Sequence, residues 1–336
     1  MVRYPFPDLP LRAYWFQLHN YHALRSIFND FDVVHAINPQ SSATVSFRSV
    51  KGHAFITTMH GVPRFRSRAF FEAPPNRWTL REFVSNTYEA AVDHTLHKLC
   101  FRNSSKIVAV SRNSLQEAKA AFHNFPIEKA TVIPNGIDFQ QIDRIKRSLG
   151  KSVETDEVSI LFYGRLIWIK GVLHLVEAIA KLRKELPRIR LRIAGTGPLL
   201  EDLRQSVRRM KLSENVEFLG YLNHGNVIAE ILRSGIVALP SIYEAGSIAQ
   251  LEAMACRKPL VAFDYPFARE YLKDSQTGML AKPGNIDDLA SKIRVLIEDK
   301  KLRDVLARNA FELTYRRHNW ETLADSYKQI YAELAA

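Results

Sequence analysis

The hydrophobic positions fall into two series of short apolar runs, each run followed by a longer stretch in which apolar residues recur every three to four positions. The first series is 33–37, 54–58, 107–110 and 131–133, and the second is 159–163, 191–194, 216–219, 236–239 and 259–263. Runs this short and continuous read as strands buried on both faces. Their alternation with helical periods is the signature of βαβ units closing a parallel, doubly wound sheet. Helices are predicted over 172–185, 248–256, 286–298, 300–313 and 320–334, the last amphipathic through Trp320, Leu323, Tyr327, Ile330, Tyr331 and Leu334. Between the two series, residues 139–157 are rich in Arg, Lys, Ser and Glu and interrupt the pattern, so the expected domain joint lies there. The Pro- and aromatic-rich segment 4–16 carries no predicted element.

At 336 residues the chain has room for two cores, and 46% hydrophobic with 24% charged residues is ordinary soluble globular composition. No apolar run approaches the ~18 residues of a membrane span, and no signal-peptide pattern follows Met1. Cys100 and Cys256 are far apart and match no metal-ligand spacing, so two free thiols in a reducing compartment are expected, which places the protein in the cytoplasm. The net charge of +12 is uneven: residues 1–150 hold 19 Lys and Arg against 11 Asp and Glu, the remainder 28 against 24. Within the first half, Arg64, Arg66 and Arg68 alternate with Phe65, Phe70 and Phe71. Such a cluster suits an anionic membrane surface, hence a peripheral location on its inner face, or an anionic acceptor; it also suits a solvated basic face. No nucleic-acid module accompanies it, and no nucleic-acid partner is expected.

The candidate chemistry lies in the second series. Glu244 and Glu252 bracket the crossing from the 236–239 strand into the 248–256 helix. Such a crossing at the carboxyl edge of a parallel sheet lines the ligand crevice, and the helix start offers unpaired N–H groups to an anion. A carboxylate one or two turns further in can accept hydrogen bonds from vicinal hydroxyls, as on a ribose. Together these features describe a nucleotide diphosphate sugar. Gly164, Arg165 and Lys170 follow the 159–163 strand, and two cations aimed at a diphosphate would stabilise it as a leaving group; two surface cations near a helix start are the alternative. Gly195-Thr196-Gly197-Pro198 also joins a strand to a helix, but Leu200 stands where a third glycine would complete a dinucleotide fingerprint, so a tight turn is the plainer account. His60 closes the 54–58 strand, where it either faces a cleft or serves the fold alone. Pro134-Asn135-Gly136-Ile137-Asp138 reads as a turn at the end of the first half. Asp30-Phe31-Asp32 is formally a metal-binding spacing, but its place ahead of a strand does not set it over a nucleotide, and no metal is expected.

These residues together resemble the retaining glycosyltransferases of family 4, a GT-B-fold group. In the second half the resemblance rests on Tyr163-Gly164-Arg165-Leu166 with Lys170-Gly171, Ala194 to Pro198, Phe218-Leu219-Gly220-Tyr221, Pro240 to Glu244, Leu251-Glu252-Ala253-Met254-Ala255 and Thr277-Gly278-Met279-Leu280. In the first it rests on Asp32-Val33-Val34-His35, Thr58-Met59-His60-Gly61, Val108 to Ser111 and Ile133 to Asp138. The resemblance implies two Rossmann-like domains facing across a cleft, the first over residues 1–145 and the second, holding the nucleotide, over 156–319, with the final helix of about 320–336 crossing back to the first.

It further implies transfer of a hexose from a UDP-, GDP- or ADP-sugar to a carbohydrate, cell-envelope or lipid-linked acceptor, with retention and with neither cofactor nor essential metal. Glu252 would hold the ribose, Arg165 and Lys170 the diphosphate, and Glu244 with the backbone of Gly246, Ser247 and Ile248 the sugar and its phosphate, while His60 would border the reacting centre. The chain departs from the family pattern in having Glu244-Ala245-Gly246-Ser247 where Glu-Gly-Phe-Gly is usual, and Arg257 where glycine is common. Only Met1 to Phe31 precede the Asp32 strand, so the first domain is expected to be short. That leaves as alternatives a misassigned or truncated start, a degenerate, non-catalytic sugar-nucleotide-binding subunit, or a transferase completed by a protein partner. An epimerase or hydrolase of the same plan is the other alternative.

Overall fold

The computed structural model describes residues 30–37, 53–72, 87, 94–150 and 154–336. The Pro- and aromatic-rich segment 4–16 lies outside them. Two compact units emerge: Met1–Pro134 with Ala324–Ala336, and Asn135–Leu323.

The first unit is built on a parallel sheet of β1 (Val33–Ala36), β2 (Ala54–Met59), β3 (Lys106–Ala109) and β4 (Ala130–Val132), paired in that order. Helices α1 (Pro63–Phe71), α2 (His94–Asn103) and α3 (Arg112–Ala121) fall between these strands. Met59, Phe101, Ile107, Ala109 and Phe122 form a buried cluster among them. The basic-aromatic run becomes α1. Phe70 is buried and Phe65 packs on the core cluster, so of its three phenylalanines only Phe71 stands exposed. The aromatic half of that run therefore serves the core rather than an open surface.

The expected joint at 139–157 is in large part a helix, α4 (Phe139–Leu149). Asp138 caps it through the Gln141 amide at 2.8 Å, and Ile142 is buried beneath it. It belongs to the second unit, so the division falls at Pro134, ahead of the 139–157 joint that composition suggested and of the bound at 145 that went with the resemblance.

The second unit contains β5 (Asp156–Tyr163), α5 (Val172–Leu182), β6 (Arg190–Ala194), α6 (Leu200–Arg209), β7 (Val216–Gly220), α7 (His224–Arg233), β8 (Ser234–Ala238), α8 (Ile248–Ala255), β9 (Leu260–Phe263), α9 (Pro266–Arg269), β10 (Met279–Ala281), α10 (Ile286–Glu298) and α11 (Lys300–Arg317); the last helix, α12 (Trp320–Ala335), starts in this unit and belongs to the first from Ala324 on. Its six strands are all parallel, in the order β10-β9-β8-β5-β6-β7. The chain builds outward from β5 through β6 to β7, then returns to β5's other edge for β8. That order is the doubly wound one, and its reversal between β5 and β8 is where an open parallel sheet opens a ligand crevice at the strands' carboxyl ends.

Every residue of β8 is buried, and Ile160, Leu161 and Phe162 of β5 and Phe263 of β9 are fully so. Burying each such large side chain is worth about 1.5–3 kcal/mol, so the two switch-point strands are among the firmest parts of the unit. Cys100 and Cys256 are buried free thiols; burial pushes the Cys256 thiol up to about 12, which makes it a packing residue rather than a nucleophile. Arg257 adopts a left-handed conformation (φ 56°), and its guanidinium lies 4.1 Å from the centre of the Phe311 ring. Stacking onto α11 offsets the strain that a glycine would avoid.

Candidate functional site

Two loops leave the carboxyl ends of the switch-point strands. From β5 come Gly164, Arg165 and, on a short 3-10 turn, Lys170; from β8 come Ser241 and Glu244, and the loop ends at α8, which carries Glu252. The loops approach closely at Gly171, where a Cβ would stand 1.8 Å from the Pro240 carbonyl oxygen. Only a residue without a side chain permits that spacing. Its result is an ion pair between residues 74 positions apart: Lys170 Nζ donates to Glu244 Oε1 at 2.5 Å, and the Ser241 hydroxyl donates to the same oxygen at 2.9 Å. The Lys170 side chain is 25% exposed and that of Glu244 15%, so this is a half-sheltered pair and not a surface one.

Arg165 stands apart from the pair. It is exposed and forms no ion pair among the described residues, which leaves its guanidinium available to an incoming anion. Ser247 is buried and caps α8, its hydroxyl accepting from the Gln250 amide at 3.4 Å; Ile248 beside it is exposed. The head of α8 thus presents backbone N–H groups and an open first turn. Gly246 precedes it, its carbonyl accepting from Asn135 Nδ2 at 3.0 Å.

One turn further in, Glu252 Oε1 lies 2.9 Å from His224 Nε2, with His224 at the start of α7. Burial raises the Glu252 carboxyl above its ordinary range, while His224 and the Tyr163 hydroxyl pull it back. Tyr163, the last residue of β5, donates to the Ala249 carbonyl, and its phenol is held well above the ordinary value by burial and then by Glu252's charge. The side chain of Gln250 is fully buried with no partner for either amide atom. Gly195 and Gly197 sit between β6 and α6, on backbone that abuts the β5 loop: Gly164 N donates to Ala194 O at 3.0 Å and Leu166 N to Thr196 O at 2.9 Å. Their turn is a backbone scaffold for the Gly164-Arg165 loop.

The structure therefore brings Gly164, Arg165, Lys170, Glu244, Gly246, Ser247, Ile248, Glu252, Gly195 and Gly197 to one edge of the second unit's sheet. His60 lies in the first unit, immediately after β2, solvent-accessible yet held below the ordinary imidazole range by the desolvation its surroundings impose. Nearby, His35 bonds Thr58 Oγ1 through Nε2 and the Tyr331 hydroxyl through Nδ1, both at 2.7 Å. Sequence reasoning did not single out Ser241, His224, Tyr163 or Asn135 as partners of site residues. Ser241 alone carried a local signal, three residues ahead of Glu244; His224 and Tyr163 meet their partners through the sheet order, and Asn135 through the attachment of its segment to residues 318–320. Among the described residues no group of three His, Cys, Asp or Glu side chains gathers to hold a metal, and no helix is long and apolar enough to cross a membrane.

Solved structures of similar architecture define the class. Sucrose-phosphate synthase from Thermosynechococcus elongatus matches with a TM-score of 0.78 at 20% identity, covering 98% of this chain and 80% of that one. HepE of Anabaena, solved with UDP and glucose, matches with a TM-score of 0.72 at 21% identity, covering 93% and 80%. The fold is GT-B, two Rossmann-like domains built on parallel sheets. Residues 143–313 match the family described as glycosyl transferases group 1, and residues 1–141 match glycosyltransferase family 4.

The chain belongs to the glycosyl transferases group 1 family. Among curated relatives, an uncharacterized glycosyltransferase of Methanocaldococcus jannaschii is 31% identical over 248 residues, 71% of this chain and 62% of that protein. The alpha-D-kanosaminyltransferase of Streptomyces kanamyceticus is 31% identical over 179 residues, 53% of this chain and 46% of that one. The chain thus spans about half to three-fifths of the length of the curated relatives it matches.

Proposed function

We propose that this protein is a retaining, metal-independent glycosyltransferase that moves a hexose from a nucleotide diphosphate sugar to a carbohydrate or lipid-linked acceptor of the cell envelope or of a polysaccharide. The observation that carries the reading is the meeting, at the β5/β8 switch point, of an unpaired arginine, a sheltered Lys170–Glu244 pair and the open head of α8, with Glu252 a turn deeper. Each part answers one part of such a donor. The α8 amides and Arg165 face the diphosphate, Glu252 accepts from the ribose hydroxyls, and Glu244, its second oxygen free of Lys170 and Ser241, accepts from a sugar hydroxyl.

In the transfer, the bond between the anomeric carbon and the phosphate oxygen breaks as the acceptor oxygen bonds to the same face of that carbon. The acceptor's proton passes to the departing phosphate. Charge then develops on the diphosphate, and Arg165, Lys170 and the α8 amides stabilise it without a metal ion. His60, neutral at pH 7, is assigned to hydrogen bonding with a sugar or acceptor hydroxyl. The acceptor class draws support from relatives such as the Campylobacter jejuni enzyme named as an N-acetylgalactosaminyltransferase acting on a diphospho-undecaprenol sugar, 27% identical over 222 residues.

A panel of UDP-, GDP- and ADP-sugars in a thermal-shift screen, followed by nucleotide-release assays with and without EDTA, tests the reading. One donor should stabilise the protein and be consumed, at a rate EDTA leaves unchanged and with the donor's anomeric configuration kept in the product. Binding without consumption across the panel and a range of acceptors would refute it.

A further inference from the structure

The Gly246–Ser247 peptide, between Glu244 and α8, is held at its carbonyl by a residue remote in sequence. Asn135 Nδ2 donates to the Gly246 carbonyl at 3.0 Å. Asn135 is itself held, because its backbone carbonyl accepts from His318 Nδ1 at 2.9 Å. A carbonyl only accepts, so His318 carries its proton on Nδ1, and burial keeps the ring below the ordinary imidazole range and therefore neutral at pH 7. Residues 135–137 and 318–320 are further fastened to each other: Ile137 N donates to His318 O at 2.7 Å, and Trp320 N to Ile137 O at 3.1 Å. From the other side comes Tyr271, 2% exposed, whose ring lies 5.4 Å from that of His318. Its phenol makes no full hydrogen bond, yet the Ser247 backbone amide bears on it.

We propose that Asn135 is a positioning residue for the transfer, setting the orientation of the Gly246–Ser247 peptide so that backbone N–H groups at the head of α8 face the donor's phosphate. The inference rests on the function proposed above. A peptide group is planar, and in the trans form its C=O and N–H point in opposite directions, so fixing the carbonyl of residue 246 turns the 247 amide toward Tyr271 and seats Ser247 as the cap of α8, which leaves the 248 and 249 amides of the first turn to a ligand. Without that tether a peptide next to a residue lacking a Cβ turns over at little cost, and the Ser247 cap and the first-turn amides behind it would lose their fixed direction toward the phosphate. The side-chain amide is the needed group, because it donates where the isosteric carboxylate cannot.

The test uses the full chain with Asn135→Asp and Asn135→Ala, read by hydrogen exchange of the 244–250 segment without ligand and by steady-state kinetics with whichever UDP-, GDP- or ADP-sugar of the thermal-shift panel the parent consumes. Both variants should speed exchange of that segment by about tenfold while leaving β5 and β8 protected, and both should lower kcat by roughly tenfold to a hundredfold, more than they raise the acceptor's KM. His318→Phe keeps an aromatic ring beside Tyr271 and loses the bond to Asn135; it should shift exchange and kcat in the same direction by less, and it serves if the Asn135 variants do not fold. Unchanged exchange in 244–250, or altered exchange with kcat within twofold of the parent, overturns the inference. Should the parent protein consume no donor, the proposed function fails, and the exchange measurement still decides whether Asn135 sets the loop.

Discussion

Replacing Lys170 with Met tests whether the Lys170–Glu244 pair is a structural contact, a functional one, or both. Methionine keeps the unbranched length and removes the charge, leaving Glu244 only 15% exposed with Ser241 as its remaining partner. Two unit charges about 4 Å apart attract by about 4 kcal/mol at an effective dielectric near 20. Removing one member of a fully buried pair costs about 3–5 kcal/mol, and of an exposed pair under about 1 kcal/mol. With Lys170 a quarter exposed, solvent screens part of the attraction, and the expected loss is about 2 kcal/mol, measurable by denaturant unfolding.

The double variant K170M/E244Q removes both charges at similar volume and should recover stability to within about 1 kcal/mol of the parent. Activity should not follow. Losing one cation at the departing diphosphate lowers kcat by about a hundredfold to a thousandfold, and the double variant stays at least that low. A single variant as stable as the parent would show that the pair contributes nothing to the fold. A double variant with near-parental turnover would refute the role given to these side chains.

Gly171→Ala places a methyl group against the Pro240 carbonyl, forcing the two site loops apart; a loss of about 3 kcal/mol in unfolding free energy, with donor turnover abolished, is expected, and a loss under about 1 kcal/mol would contradict the close approach. Glu252→Gln should leave stability at pH 7 unchanged or slightly higher, because the raised carboxyl pKa means that folding carries a cost for ionisation there, while nucleotide affinity measured by calorimetry falls about tenfold to a hundredfold. His35, His174 and His318 have pKa values lowered below the ordinary 6.5, chiefly by burial, so the unfolded chain binds more protons than the folded one just below that pH. Their contribution to stability is complete above about pH 6.5 and is lost as pH falls through the folded values; the melting temperature should drop between pH 7.5 and 5.5, and His174→Phe should flatten that drop.

Much of the architecture was legible because the strands of a covered parallel sheet are apolar throughout, as 159–163 and 236–239 are, and need no face to be inferred. The helix Phe139–Leu149 was hidden by the same logic in reverse. It buries only Ile142, so its surface composition looks like a linker although an Asp138 cap announces it. Strand β10 is three residues long, too short to register as a period. At the site, glutamates and cations could be read from their places after strands. Their pairing could not, since Lys170 meets Glu244 rather than standing beside Arg165 only because β8 returns to the edge of β5. His224 joins the site for the same reason, through strand order, and Asn135 through the attachment of its segment to residues 318–320.

The first unit is assembled from both ends of the chain, 1–134 and 324–336, and the tail supplies Tyr331 and Tyr327 to His35. Splitting the gene once therefore cannot release the first unit whole. A fragment ending at residue 134 would lack the aromatic pair that His35 leans on, and chimeras that borrow this protein's first half from a relative must exchange its last thirteen residues in the same step.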